Sequence, residues 1–103
     1  MGEIVALRLP GEDDLSVKRV IALPRDVVRI KRGVVFVNGK LQPEPYLLSN
    51  VITGCGNLGN ASYVVAADCY FVLGDNRAVS ADSRAFGAVK RGWIVGRVED
   101  GGR

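Results

Sequence analysis

Three features of this sequence predict an all-β domain of many short antiparallel strands, with at most one short helical turn. Apolar runs of strand length, rich in Val, Ile, Phe and Tyr, recur along the chain, as in Val34-Val35-Phe36-Val37 and Tyr70-Phe71-Val72-Leu73. Turn signals separate them, among them Pro10-Gly11, Arg32-Gly33 and Asn38-Gly39. No alternating helical pattern interrupts the series.

Ile4 to Leu9 is the first strand-like run, stopped by Pro10-Gly11, with Glu12-Asp13-Asp14 as an exposed acidic turn. Leu15 to Leu23 is too rich in Val and Ile for a helix. As a strand it places Ser16, Lys18, Val20 and Ala22 on one face and Val17, Arg19, Ile21 and Leu23 on the other. Lys18 is then flanked on its own face by small and apolar residues, which makes it a candidate for desolvation; the ordinary alternative is a lysine that snorkels to solvent. After the Pro24-Arg25-Asp26 turn, Val27 to Lys31, Val34 to Val37 and Lys40-Leu41 form a meander through Arg32-Gly33 and Asn38-Gly39. Gln42 to Asn50 contains Pro43 and Pro45 and reads as irregular or an edge. Thr53 to Asn60, with three glycines, reads as a flexible loop. Ser62 to Ala66, Tyr70 to Leu73 and Trp93 to Val98 resume the strands, Ser80 to Phe86 allows one helical turn, and Glu99 to Arg103 reads as a frayed tail.

A chain of 103 residues supports one domain with one modest core. Hydrophobic residues at 48% exclude disorder, and apolar runs of at most five residues cannot span a bilayer. The net charge of +3 is spread over separate pairs (Lys18-Arg19, Lys31-Arg32, Lys90-Arg91) without a clustered basic face, which argues against nucleic-acid binding. The absence of histidine removes Ser-His-Asp and Cys-His mechanisms and every His-containing metal site. Cys55 and Cys69 form no CxxC and do not suggest zinc; one disulfide and two free thiols are both compatible with their spacing. Hydrolytic chemistry in this chain therefore needs a base other than histidine, and lysine is the obvious candidate.

The segment Gly74 to Gly87 concentrates two Asp, two Arg, two Ser and an Asn between two apolar strands. Such a loop is either a self-paired structural turn or part of a site. Asp75 and Asp82 each have an Arg nearby, which argues against an aspartyl dyad, since a dyad needs two carboxyls sharing one proton.

Two long stretches carry a resemblance. Val17 to Lys40, "VKRVIALPRDVVRIKRGVVFVNGK", resembles the lysine-bearing segment of bacterial type I signal peptidases, and Tyr70 to Val98, "YFVLGDNRAVSADSRAFGAVKRGWIVGRV", resembles their GDNR-xx-S-x-DSR segment. Gly2-Glu3-Ile4-Val5 is similar to their Gly-Asp-x-Val strand. The resemblance implies the barrel-like or sandwich-like catalytic fold of that family over residues 1–98, with 46–67 as a variable insert. It also implies a Ser-Lys endopeptidase that removes signal peptides from secreted preproteins without a cofactor, at the outer face of the cell membrane. Lys18 matches the general base. A lysine accepts a proton only when neutral, and burial against apolar walls lowers its ordinary pKa of about 10.4. Ser80 matches the serine that orients this lysine. Asp82 and Arg84 match paired charges that brace the site, Arg19 and Asp75 match a second pair, and Asn76 and Arg77 complete the GDNR motif. Leu15, Ser16 and Val17 match the strand that pairs with extended substrate.

Three departures set further expectations. The family's nucleophilic serine lies in a Ser-Met-x-Pro segment before the lysine, and the seventeen residues ahead of Lys18 contain no such motif. The chain is therefore expected to lack nucleophile, oxyanion donor and membrane anchor, to be inactive alone, and to self-associate through the apolar surface left uncovered. Arg25 stands where the family usually has glycine, which questions the left-handed backbone of that turn. Ala22 also replaces a frequent glycine, and Ala78-Val79 replace a frequent Asp-Asn. Two alternatives remain: a naturally serine-less relative that binds exported chains or complements a partner, and a self-cleaving Ser-Lys domain of the repressor type.

Overall fold

The computed structural model describes residues 2–44, 52–59, 61–78 and 81–98. Among the described residues the β-branched runs form nine strands: β1 (Ile4–Leu7), β2 (Ser16–Ala22), β3 (Val27–Lys31), β4 (Val34–Val37), β5 (Lys40–Leu41), β6 (Tyr63–Val64), β7 (Cys69–Leu73), β8 (Val89–Lys90) and β9 (Ile94–Val98). A four-residue helix, α1 (Ser83–Phe86), follows β7. All ladders are antiparallel. They make a five-stranded sheet in the order β8-β7-β2-β1-β9 and a four-stranded sheet in the order β5-β4-β3-β6.

The meander follows from its turn residues. Arg32-Gly33 has φ of 54° and 79°, and Asn38-Gly39 has φ of 55° and 80°, so each hairpin turns through two left-handed residues, matching the twist of its strands. Asn38 adds side-chain bonds to this geometry: its Oδ1 accepts from the Val27 N–H at 2.9 Å and its Nδ2 donates to Asp26 at 3.0 Å. Arg25 retains the left-handed backbone expected of a glycine, at φ 72°. Its N–H donates to the Val65 carbonyl at 2.7 Å, which helps hold a conformation that costs an L-residue about 1–2 kcal/mol.

The core lies between the sheets. Ile21, Ala22, Phe71 and Leu73 from one sheet pack with Val28, Ile30, Val35 and Val37 from the other, together with Val65. A fully buried side chain such as Phe71 or Leu73 contributes about 1.5–3 kcal/mol. Val72, between them in sequence, faces the opposite way and joins a smaller cluster with Val5, Leu7, Val20 and Val89.

β2 departs from simple alternation. It pairs with β7 as Arg19↔Leu73, Val20↔Val72 and then Ala22↔Phe71, which leaves Ile21 as an inserted residue. Val20 therefore packs in the smaller cluster, whereas Ile21 and Ala22 both enter the main core. The expected common face of Ser16, Lys18, Val20 and Ala22 is corrected here: the bulge re-aims the strand after Val20.

Other boundaries shift for tertiary reasons. Only Tyr63–Val64 of the Ser62 to Ala66 run pairs, and the short β8 completes a sheet edge that its sequence does not announce. The Thr53 to Asn60 loop contains a 3-10 turn at Gly56–Leu58 and a buried Thr53. Trp93 closes a second 3-10 turn, Arg91–Trp93, before β9. Cys55 and Cys69 are free, half-buried thiols against the main core. The expected tail, 99–103, lies outside the described residues.

Candidate functional site

Lys18 lies in the leading half of β2, half-buried. On one side this half pairs with β1, as Leu7↔Ser16, Ala6↔Val17 and Val5↔Lys18. On the other side the ladder with β7 begins only at Arg19. Among the described residues the β7 ladder therefore does not reach Ser16 or Val17. Leu15 and Val17 are exposed in this stretch, at 47% and 56%, and Ser16 is half-buried. A small hollow of about 150 Å³ opens here, lined by Ile4, Val17, Lys18, Arg19 and Asp75.

The residue after Lys18 ties β2 to the polar loop. Arg19 donates from Nε to Asp75 Oδ1 at 2.9 Å and from its NH2 nitrogen to Oδ2 at 2.7 Å, and reaches the Gly2 carbonyl at 2.7 Å. This two-pronged geometry fixes a guanidinium plane against a carboxylate. Asp75 is nonetheless 43% exposed, so water screens the pair.

Asp82 is fully buried. Its carboxylate accepts from Arg84 Nε and NH2 at 2.9 and 2.8 Å, from the Arg84 N–H at 3.1 Å as the N-cap of α1, and from the Gly74 N–H at 3.0 Å. Burial alone pushes the Asp82 carboxyl up, but these hydrogen bonds and the Arg84 charge outweigh burial and hold it below the usual carboxylate range. Asp82 thus closes the loop, joining its start at Gly74 to its end at α1. The neighbouring Ser83 hydroxyl accepts from the Val72 N–H at 2.9 Å, fastening α1 to β7.

Arg77 is buried and Asn76 is exposed. Ser80 lies outside the described residues. Glu44 and Thr53, which sequence reasoning passed over, both meet Arg77: Glu44 through a two-pronged pair at 2.7 and 3.2 Å, and Thr53 through its hydroxyl at 3.0 Å. The sequence offers one signal for Glu44, its place between Pro43 and Pro45, which narrows the backbone choices of the segment. Nothing in the sequence points to Thr53. Among the described residues no acidic or cysteine cluster is grouped to hold a metal, and no helix is long and apolar enough to cross a membrane.

An antiparallel two-sheet fold with one short helix among the described residues agrees with the family comparison. Residues 1–100 match the family model described as signal peptidase, peptidase S26, and this chain belongs to that family. It is 46% identical to signal peptidase IB of Staphylococcus aureus over 94% of its own length, and 46% identical to signal peptidase I of Bacillus caldolyticus over the same share. The chain spans 57% and 58% of the lengths of those two relatives. A crystal structure of a signal peptidase I from Enterococcus faecalis V583 superposes with a TM-score of 0.78 at 32% identity, covering 95% of this chain and 94% of the other.

Proposed function

We propose that this chain carries the base and the substrate-pairing strand of a signal peptidase I that cleaves signal peptides from secretory preproteins at the outer face of the membrane. The observation that carries this reading is the leading half of β2, where Ser16 and Val17 precede the start of the β7 ladder and Lys18 lines the adjacent hollow. An extended peptide added there gains main-chain hydrogen bonds and lays its backbone past the lysine amine. The adjacent hollow has room for a small side chain and is well below the volumes that hold drug-sized ligands.

In the reaction, Lys18 takes the proton of a serine hydroxyl as that oxygen attacks the peptide carbonyl. An acyl-enzyme forms, the amine leaves with a proton, and water completes hydrolysis. Ser80 orients the lysine, while Arg19–Asp75 and Asp82–Arg84 hold the walls of the site. The Ser-Met-x-Pro nucleophile is not among these 103 residues, so the polypeptide by itself is proposed to bind substrate without cutting it.

The test is a chimera in which the N-terminal part of Staphylococcus aureus signal peptidase IB is joined ahead of this chain. The 103-residue chain alone is expected to leave a signal-peptide reporter intact. The chimera is expected to cleave it, and Lys18→Ala to lower the rate by about 10²–10⁴-fold. A folded chimera that is inert, or that keeps its rate with Lys18→Ala, sinks the catalytic reading. An inert chimera whose β2 edge still binds the reporter supports a second reading from the same edge, a relative that binds exported chains without cutting them.

A further inference from the structure

Arg77 is the most deeply buried cation described, and its partners lie far apart in sequence. Its side chain is fully shielded from solvent, while that of Glu44 is 11% exposed. Beyond Glu44 and Thr53, Arg77 Nε donates to the Gly74 carbonyl at 2.7 Å. The Gly74 N–H donates to Asp82, so this one peptide position is gripped from both sides. The next residue is Asp75, which holds Arg19 beside Lys18. A continuous path of hydrogen bonds and one covalent step therefore runs from Glu44 through Arg77, Gly74 and Asp75 to Arg19.

From this path we infer that Glu44 is a positioning residue for the lysine site, with Thr53 as its auxiliary. Removing a partner of a buried cation leaves an uncompensated charge, so Arg77 depends on Glu44 to stay where it holds Gly74. When Arg77 shifts, Gly74 loses the acceptor side of its grip and Asp75 loses its fixed approach to Arg19. Glu44 touches neither substrate nor reacting atoms and acts through Arg77. This inference rests on the reading of Lys18 as the base, and its site-directed consequence is a change in how Lys18 is presented.

The experiment is NMR on the 103-residue chain, comparing Glu44→Gln, Glu44→Asp and the core variant Val35→Ala. The signals read are hydrogen exchange at the Gly74 amide and at Arg77 and Arg19 Nε–H, and the chemical shift of the Lys18 Cε group at fixed pH. Glu44→Gln is expected to speed exchange at Gly74 and Arg19 about tenfold relative to the β3–β4 amides and to shift the Lys18 Cε signal at fixed pH. Glu44→Asp, which keeps the carboxylate, is expected to restore most of both signals. Val35→Ala is expected to speed protected amides generally without singling out Arg19. If Glu44→Gln speeds all amides alike, or moves Arg77 and leaves Arg19 and Lys18 unchanged, the positioning role is overturned. Should Glu44→Gln fail to fold, Thr53→Val is read instead: about threefold faster exchange at the same two sites supports the path, and no change overturns it. No cleavage is needed, so the outcomes separate from those of the chimera. An inert chimera with a coupled Arg19 removes the catalytic reading alone, and an active chimera with an uncoupled Arg19 removes the Glu44 role alone.

Discussion

Two ion pairs within the polar loop differ in burial, and that difference decides what each is worth. Asp75 is half-exposed, so Asp75→Asn is expected to cost about 1 kcal/mol or less in urea unfolding. Asp82 is fully buried and Arg84 almost as well hidden, so water reaches neither partner as it reaches Asp75, and Asp82→Asn is expected to cost about 3–5 kcal/mol. The acid behaviour follows from the depressed Asp82 carboxyl. Its folded value lies below its unfolded value, so its stabilising contribution is complete above the ordinary Asp range near about pH 4 and is lost as pH falls through the lower folded value. Unfolding curves collected downward from about pH 5 are expected to steepen in the parent chain and to be flatter in Asp82→Asn. An equal slope in both removes Asp82 as the source. Arg25 offers a test of opposite sign. Arg25→Gly relieves the left-handed strain at φ 72°, partly offset by glycine's larger unfolded-state entropy, and is expected to raise stability by about 0.5–1 kcal/mol.

Among the elements, β2 serves three neighbours in seven residues. Its first half pairs with β1 and is the proposed docking strand for a peptide, its middle places Arg19 against the polar loop, and its last half enters the core after the Ile21 bulge. The bulge lets Val20 and Ala22 join different clusters while the strand stays continuous. The β3–β4 hairpin reaches the site through its turn. The Gly33 carbonyl accepts from the Thr53 N–H at 2.8 Å, and a Cβ at Gly33 would lie 2.6 Å from Ile52 Cγ2. Gly33→Ala therefore strains a left-handed position and crowds the segment that delivers Thr53 to Arg77. It is expected to cost about 1–2 kcal/mol and to speed exchange at the Thr53 amide. An unchanged Thr53 amide would show that the turn and the loop move independently.

At the scale of the whole molecule, the main core binds the two sheets into one unit, while part of the five-stranded sheet remains open to solvent. Val17, Val95 and Val98 are exposed at 56%, 62% and 37% around the β1–β2–β9 side. Apolar surface of this kind promotes association, and β9 is also a sheet edge among the described residues. The 103-residue chain is expected to dimerise or to become sticky at high concentration. Val95→Lys is expected to reduce that tendency without lowering the unfolding midpoint, since the residue packs little. Static light scattering across a concentration series checks both, and a monodisperse monomer at millimolar protein would count against the surface argument.

The sequence alone determined the β-class, the two-residue hairpins and the family, because each rests on local information: β-branched runs, left-handed turn residues and long contiguous motifs. Val27–Lys31, Val34–Val37 and Lys40–Leu41 begin and end in the structure where the sequence places them, since Arg32-Gly33 and Asn38-Gly39 set their registers directly. Lys18 and the GDNR-DSR segment were likewise legible as motifs. Tertiary structure decided what those motifs touch. The Ile21 bulge depends on how β7 pairs with β2, and the reach of the β7 ladder, which among the described residues ends short of Ser16 and Val17, on where β7 stops. Glu44 and Thr53 reach Arg77 across 33 and 24 positions, and no local pattern encodes such a meeting. Burial then assigns their weight: in a water-poor interior an unpaired charge is expensive, so Glu44, which sequence reasoning passed over, becomes the partner that holds a buried arginine in place.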